Sequence, residues 1–244
     1  MPEIPLFSSA LPPSVQDVIR SRLPRARFLP PDPALPAPIR HHPDTLVCTL
    51  PGHLFLPDTY YRANAAFFDE IAADAGVTLC PLSTPHGSAY PADAAYNGVV
   101  CGRYLFARTD TLASGIVECA RRAGYTPVSV RQGYAACSAI VLGVALFTAD
   151  PSILHAAVGL PGISVFPLAP FSIALPGYSC GFPGGACGLV GDTLYWFGIP
   201  DAPALTAVHA YCMSRGIAEC VLCETPGLAD CGGIRVIGKR GDIP

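Results

Sequence analysis

The chain has 244 residues, of which 51% are apolar and 14% charged, and 15 Lys plus Arg stand against 18 Asp plus Glu for a formal net charge of −3. Soluble domains carry roughly 25% charged residues, so a mainly disordered state is excluded, and a chain of this length can build a core without disulfides or a metal. No basic run is longer than the pair Arg121–Arg122, which argues against a nucleic-acid partner because phosphate binding draws on clustered cations.

Eleven cysteines are an odd count, and the start MPEIPLFSSALPPS lacks the basic and continuous apolar segments of a signal peptide. The expectation is free thiols in a reducing cytoplasm, most of them acting as small hydrophobes. Mean hydropathy is +0.41, and Gln132–Ala149 carries no formal charge, so a membrane span has to be weighed. Gly133 and Gly143 divide that stretch, and Pro161, Pro167, Pro170, Pro176 and Pro183 interrupt the next uncharged one. The segment reads as a buried hairpin, and no membrane is expected.

In chain order, the first elements are a strand at Ile4–Phe7, a helix over about Pro13–Leu23 and a strand near Arg25–Leu29. A pattern then recurs: apolar run, turn with Gly, second apolar run, helix, short β-rich run. Its first copy is Thr45–Leu50, turn Pro51–Gly52, His53–Pro57, a helix over about Tyr60–Asp74 and Val77–Leu82. Ala63, Phe67, Ile71 and Asp74 mark the helix face, and Gly76 the stop. The second copy is Ala94–Val100, turn Cys101–Gly102, Arg103–Ala107, helix Asp110–Ala123 and Thr126–Val130. The third is Ser138–Leu142, Val144–Thr148, helix Pro151–Val158 with Asp150 as N-cap, and Ile163–Pro167. The fourth is Cys187–Val190, Thr193–Phe197, a helix over about Ala202–Arg215 bracketed by Asp201 and Gly216, and Ile217–Leu222.

Gly233–Ile237 supplies a last strand, and the N-terminal elements complete its unit. The turn glycines Gly52, Gly102, Gly143, Gly191 and Gly238 lie 50, 41, 48 and 47 residues apart. A helix in every unit argues against an all-β propeller, and a hairpin in every unit against a helical solenoid. The expected fold is α/β: five ββαβ units with five-fold pseudosymmetry around an axis, the last closed by the N- and C-terminal segments, in one domain over residues 1–244.

That architecture resembles the guanidino-group-modifying enzyme (GME) fold, the pentein or α/β-propeller superfamily. The strings Gly133-Tyr-Ala-Ala-Cys-Ser138, Phe147-Thr-Ala-Asp150 and Gly177-Tyr-Ser-Cys-Gly-Phe-Pro-Gly-Gly-Ala-Cys-Gly188 are similar to those of an uncharacterised bacterial family, a domain of unknown function assigned to that fold. The resemblance covers about His41 to Ile237. It implies a site built from a nucleophilic Cys, a His acting as acid and base, and carboxylates that grip a cationic guanidino or amidino group. It also implies a catalytic Cys following a C-terminal Gly-Gly, as in Gly-Gly-x-Val-His-Cys. Here that stretch reads Cys231-Gly-Gly-Ile-Arg-Val-Ile237, with Val236 or Ile237 at the nucleophile position and Cys231 ahead of the glycines. Ordinary arginine or agmatine deimination is therefore not expected.

In such a ring, the segments just before each first strand lie nearest the axis. His42-Pro43-Asp44 has the His-x-Asp form of a catalytic and gripping pair, although a His closing a Pro-rich loop is also an ordinary turn residue. Asp93 and Asn97 occupy the equivalent place in the second unit, to grip a cation or to cap a strand. Cys137 in the third unit is the candidate nucleophile with His42 as its base, against the alternative of a core thiol. Asp150 resembles the Asp of a deiminase Phe-Thr-Arg-Asp string and is equally an N-cap. Gly184 and Gly185 could present amides to an anion or carboxylate. Cys220-x-x-Cys223 is half a zinc knuckle with no second half in the sequence, so no metal and no cofactor are expected. The leading expectation is an axial pocket for a small amino-acid-like or guanidino-like molecule. The alternative is a non-catalytic ring serving as an interaction module, as in ribosome-associated members of the superfamily. The sequence leaves the oligomeric state open.

Overall fold

The structure, a computed structural model, describes residues 3–238; the expectation of one domain over 1–244 takes in both ends outside that range. It begins with β1 (Ile4–Ser8), α1 (Pro13–Arg22) and β2 (Arg27–Leu29), followed by the one-turn α2 (Pro43–Leu46). The next unit is β3 (Cys48–Leu50), β4 (His53–Pro57), α3 (Asp58–Ala63), α4 (Ala65–Ala75) and β5 (Thr78–Leu82). Then come β6 (Val99–Cys101), β7 (Tyr104–Ala107), α5 (Ser114–Arg122) and β8 (Thr126–Ser129), and after them β9 (Ala139–Leu142), β10 (Ala145–Thr148), α6 (Pro151–Ala157) and β11 (Ser164–Pro167). A two-residue strand β12 (Ile173–Ala174) precedes β13 (Cys187–Val190), β14 (Thr193–Trp196), α7 (Thr206–Arg215) and β15 (Ala218–Val221). The chain returns through β16 (Leu228–Ala229) to β17 (Arg235–Ile237).

Five three-stranded sheets share one order: β3-β4-β5, β6-β7-β8, β9-β10-β11, β13-β14-β15 and β17-β1-β2. In each, the first pair is antiparallel and the helix carries the chain across to a parallel third strand. The last sheet joins the two ends of the chain, with Ile4 opposite Ile237 and Leu6 opposite Arg235. A sixth, two-stranded sheet pairs β12 with β16, both outside the expected elements.

Four hairpins turn on two residues, and Gly52, Gly102, Gly143 and Gly191 supply the positive φ there (76°, 55°, 64° and 57°). The second turn is Gly102–Arg103, one residue later than expected, because Cys101 pairs with Tyr104. Adjoining turns touch: the Gly52 amide donates to Gly238 O and the Gly102 amide to Gly143 O.

The core is divided into layers between neighbouring sheets. Phe55 of one sheet packs with Leu105 of the next and with Ile116 and Ala120 of α5. Phe106 packs with Leu146 and α6, Phe147 with Trp196 and α7, and Tyr195 and Phe197 with Phe7 and α1. Ile4 and Ile237 pack with Leu54 and α4, so the terminal sheet contacts both the fourth unit and the first.

Helix α4 buries Phe68, Ile71, Ala72 and Ala75, the i, i+3, i+4, i+7 spacing of an apolar stripe. The expected face through Ala63, Phe67 and Asp74 was out of phase: Asn64, at φ −137°, breaks the helix and resets its register. Helix α7 starts at Thr206 after a 3-10 turn at Pro203–Leu205, so Asp201 is not its cap. Among the described residues, no helix is long and apolar enough to cross a membrane. All eleven cysteines are free, and six of them are buried.

Candidate functional site

The one-turn helix α2 exists because Pro43 fits its first position and the carbonyl of His42 accepts from the Leu46 amide and the Thr45 hydroxyl. This compact turn buries His42 and Asp44 side by side in sequence, at 6% and 0% exposure. The Asp44 amide donates to Gly232 O, which ties the turn to the segment before β17. That segment brings Asp230, whose Oδ1 lies 3.6 Å from His42 Nδ1. The Phe182 and Gly232 amides donate to the Asp230 carboxylate.

Asn97, fully buried, holds the second and third units to this turn. Its Nδ2 donates to Asp44 O at 2.8 Å and to Cys137 Sγ at 3.0 Å, and its Oδ1 accepts the Ala136 amide at 2.7 Å. Asn97 is therefore a positioning residue for Cys137. Asp93 lies alongside: its Oδ2 accepts the Tyr134 hydroxyl at 2.6 Å, while its buried Oδ1 has no partner.

The electrostatics are one-sided. Asp44 is fully buried, and apart from the Cys137 thiol that faces it, its carboxylate oxygens have no hydrogen-bond partner. The Asp230 carboxyl is pushed up to about 6, first by burial and then by the charge of Asp44, against the pull of His42. Burial raises Asp93 as well. Burial, reinforced by Asp44 and Asp230, also holds the Cys137 thiol far above its ordinary range, so it is protonated at neutral pH. Among the described residues, no Lys or Arg forms an ion pair with Asp44, Asp93 or Asp230. Nor do three or more His, Cys, Asp or Glu side chains converge in a way that could hold a metal.

Of the residues expected from sequence, His42, Asp44, Asn97 and Cys137 are gathered, with Asp93 beside them. Asp150 is not: it caps α6, accepting the Ser152 and Ile153 amides, and takes a further bond from Gln132. The Gly184 and Gly185 amides both donate to Cys137 O, so they do not cradle a ligand. Those two positions are glycine for space. A Cβ on Gly185 would overlap the Asp230 carboxylate, and one on Gly184 would sit 2.5 Å from Ala136 O, 2.8 Å from Cys137 O and closer still to Ala139 O. Backbone carbonyls cannot step aside, so Gly184→Ala should cost about 3 kcal/mol in a denaturant titration. A loss under about 1 kcal/mol would show that the segment has room.

Two participants were missed. Asp230 sits in the fifth pre-strand segment, where the sequence motif points to the neighbouring Cys231 instead. Cys231 packs beside the Phe7 and Phe197 layer and is pushed up to about 12 by burial. Ile237, at the motif's nucleophile position, is core, and Val236 packs against the core. The other omission is the His86–Asp32 pair, 2.6 Å apart and buried. It ties the loop before Asp93 to the Pro-rich loop before His42, and no local motif announces it.

The fold places this polar cluster where sheets converge, in a mixed α/β architecture similar to that of guanidino-modifying enzymes. An amidinotransferase from Microseira wollei, SxtG of the saxitoxin biosynthetic pathway, is 10% identical and superposes with a TM-score of 0.55 over 99% of this chain and 95% of its own. A dimethylarginine dimethylaminohydrolase, solved as an adduct with 4-chloro-2-hydroxymethylpyridine, is 11% identical, with a TM-score of 0.51 over 93% of each chain. Both belong to the pentein superfamily. Residues 9–235 match a family of unknown function, DUF6873, and the chain belongs to that family. No curated protein matches the chain.

Proposed function

We propose that the five units form a pentein ring whose polar centre binds a small molecule with a planar cationic head, of the guanidino or amidino class, and presents the Cys137 thiol to it. The observation that carries this reading is Asp44: a fully buried carboxylate with no cationic partner and only the Cys137 thiol to hydrogen-bond it, beside a second buried carboxylate at Asp230. Uncompensated buried charge costs several kcal/mol, and a cation that hydrogen-bonds both carboxylates offsets that cost. A guanidinium or amidinium offers several N–H donors in one plane, which suits two carboxylates better than the point charge of an ammonium. Tyr134 and Asp93 stand beside the thiol as a further acceptor position, and His42 is the group available to move a proton. The likeness to an amidinotransferase and a dimethylaminohydrolase supports the ligand class.

The test is calorimetric titration at pH 7.5 with L-arginine, agmatine and acetamidine, and with neutral citrulline as control. A cationic probe should bind one to one while citrulline does not. Equal binding of citrulline, or no heat from any cation, would remove the reading. The alternative of a non-catalytic interaction ring calls for an exposed apolar outer face. Among the described residues, the exposed Tyr90, Val144, Val158, Tyr178, Ile199 and Met213 belong to six separate segments.

A further inference from the structure

Besides the carboxylate cluster, the molecule has a cavity of about 190 Å³ walled by β3, β6, β9, β13 and β17. It extends from Ala136 and Gly184, whose backbones also border the cluster, to the hairpin turns at Pro51, Gly143, Gly191 and Gly238. Gly143 and Gly191 are exposed, so the cavity reaches the surface at that end. One water needs about 10–15 Å³ of such space, so a small solute fits together with water.

Among the described residues, Arg235 of β17 is the only basic residue of the lining, and its place is fixed by the pairing opposite Leu6. Its Nε is buried with no hydrogen-bond partner, and among the described residues no carboxylate lies within ion-pair distance. Among the described residues, Glu3 is the only acidic residue of the lining, and its carboxylate accepts the Gly191 amide at the turn. The field of the guanidinium reaches two other walls: it draws down the thiols of Cys48 on β3 and Cys187 on β13, against the stronger upward push of burial. Arginine cannot shed its proton, so this half-buried guanidinium keeps its charge and is met by water or by a bound anion. The guanidinium fork matches an oxyanion with two parallel N–H···O bonds.

We propose that this cavity is a second ligand site, for a small oxyanion of the carboxylate or phosphate type, held by Arg235 and distinct from the cation site at Asp44. At Gly184 and Gly188 the neighbouring backbone and Ile234 come too close for a side chain, and Thr49 adds the one uncharged hydroxyl among the described residues of the wall.

Thermal unfolding and calorimetry with sodium phosphate and sodium acetate, against sodium chloride at matched ionic strength, test the site. Saturable one-to-one binding of either oxyanion beyond chloride supports it: phosphate alone points to phosphate-type ligands, acetate alone to carboxylates, and both to a general oxyanion site. Arg235→Met should weaken that binding at least tenfold. If Arg235→Met does not fold, the Arg235 Nε–H resonance of the unmodified protein is followed instead, and it should move with the anion. Failure of both oxyanions to exceed chloride, an Arg235→Met protein with undiminished binding, or a resonance indifferent to the anion would overturn the proposal. Because the probes carry no cationic head, these outcomes leave the Asp44 reading untouched.

Discussion

Replacing Asp44 by Asn should yield a protein that is more stable and no longer binds a cation. Asp44 is fully buried with only the Cys137 thiol to hydrogen-bond it and repels the ionised form of Asp230. An isosteric amide removes that charge, which should stabilise the fold by about 2 kcal/mol at pH 7.5, about 5 °C in melting temperature. The pH dependence fixes the sign. A folded-state carboxyl near 6, against about 3.9 unfolded, means that the native protein takes up the proton more readily. Its contribution to stability is present below about pH 4 and lost as pH rises through 6. The Asn protein should lose part of this dependence, because Asp44 is one of the two causes that raise Asp230. Binding of agmatine or acetamidine should fall at least a hundredfold. A variant that is destabilised and still binds would show that Asp44 is compensated within the protein and is not the cation's partner.

Legibility from sequence tracked how local the physics is. The hairpins could be read because a two-residue turn needs a residue tolerant of positive φ, and Gly52, Gly102, Gly143 and Gly191 announce it. The cap on α6 was readable for the same reason, since Asp150 acts on amides two and three residues away. Helix phase was not readable across Asn64, whose non-helical φ of −137° interrupts the period. His42, Asp44, Asn97 and Cys137 could be nominated because each precedes, or lies just ahead of, the first strand of a unit, and the period of the chain assigns those places to one region. Their partners could not be assigned. Asn97 contacts the carbonyl of Asp44 and the sulfur of Cys137, 53 and 40 residues away. In the C-terminal segment the motif points to a nucleophile, whereas the fold brings a carboxylate, Asp230, to the cluster. The glycines beside it were taken for an open amide cradle, but their role is steric and is visible only when Asp230 and Cys137 O are in place.

At neutral pH, a cationic haloacetamidine should alkylate Cys137 at least ten times faster than the corresponding neutral haloacetamide, and agmatine should protect against it. The thiolate is the attacking species: the C–S bond forms as halide leaves, and the thiol proton must first go to a base. Burial and the charges of Asp44 and Asp230 oppose that ionisation, so a neutral reagent should consume the exposed Cys180 first. An amidinium docked against the two carboxylates changes the balance, because it cancels the charges that hold the proton on sulfur and places the reactive carbon near it. The preference should weaken as pH falls below about 6, since a protonated Asp230 no longer attracts the reagent. Asp44→Asn should erase it at every pH. Peptide mapping of the adduct decides the matter. If both reagents label Cys180 alike and Cys137 stays unmodified, the thiol is a packing residue and the site at most binds its ligand. A fast, agmatine-protected reaction at Cys231 would instead place the nucleophile in the C-terminal unit, where burial and the Phe7 layer argue against it.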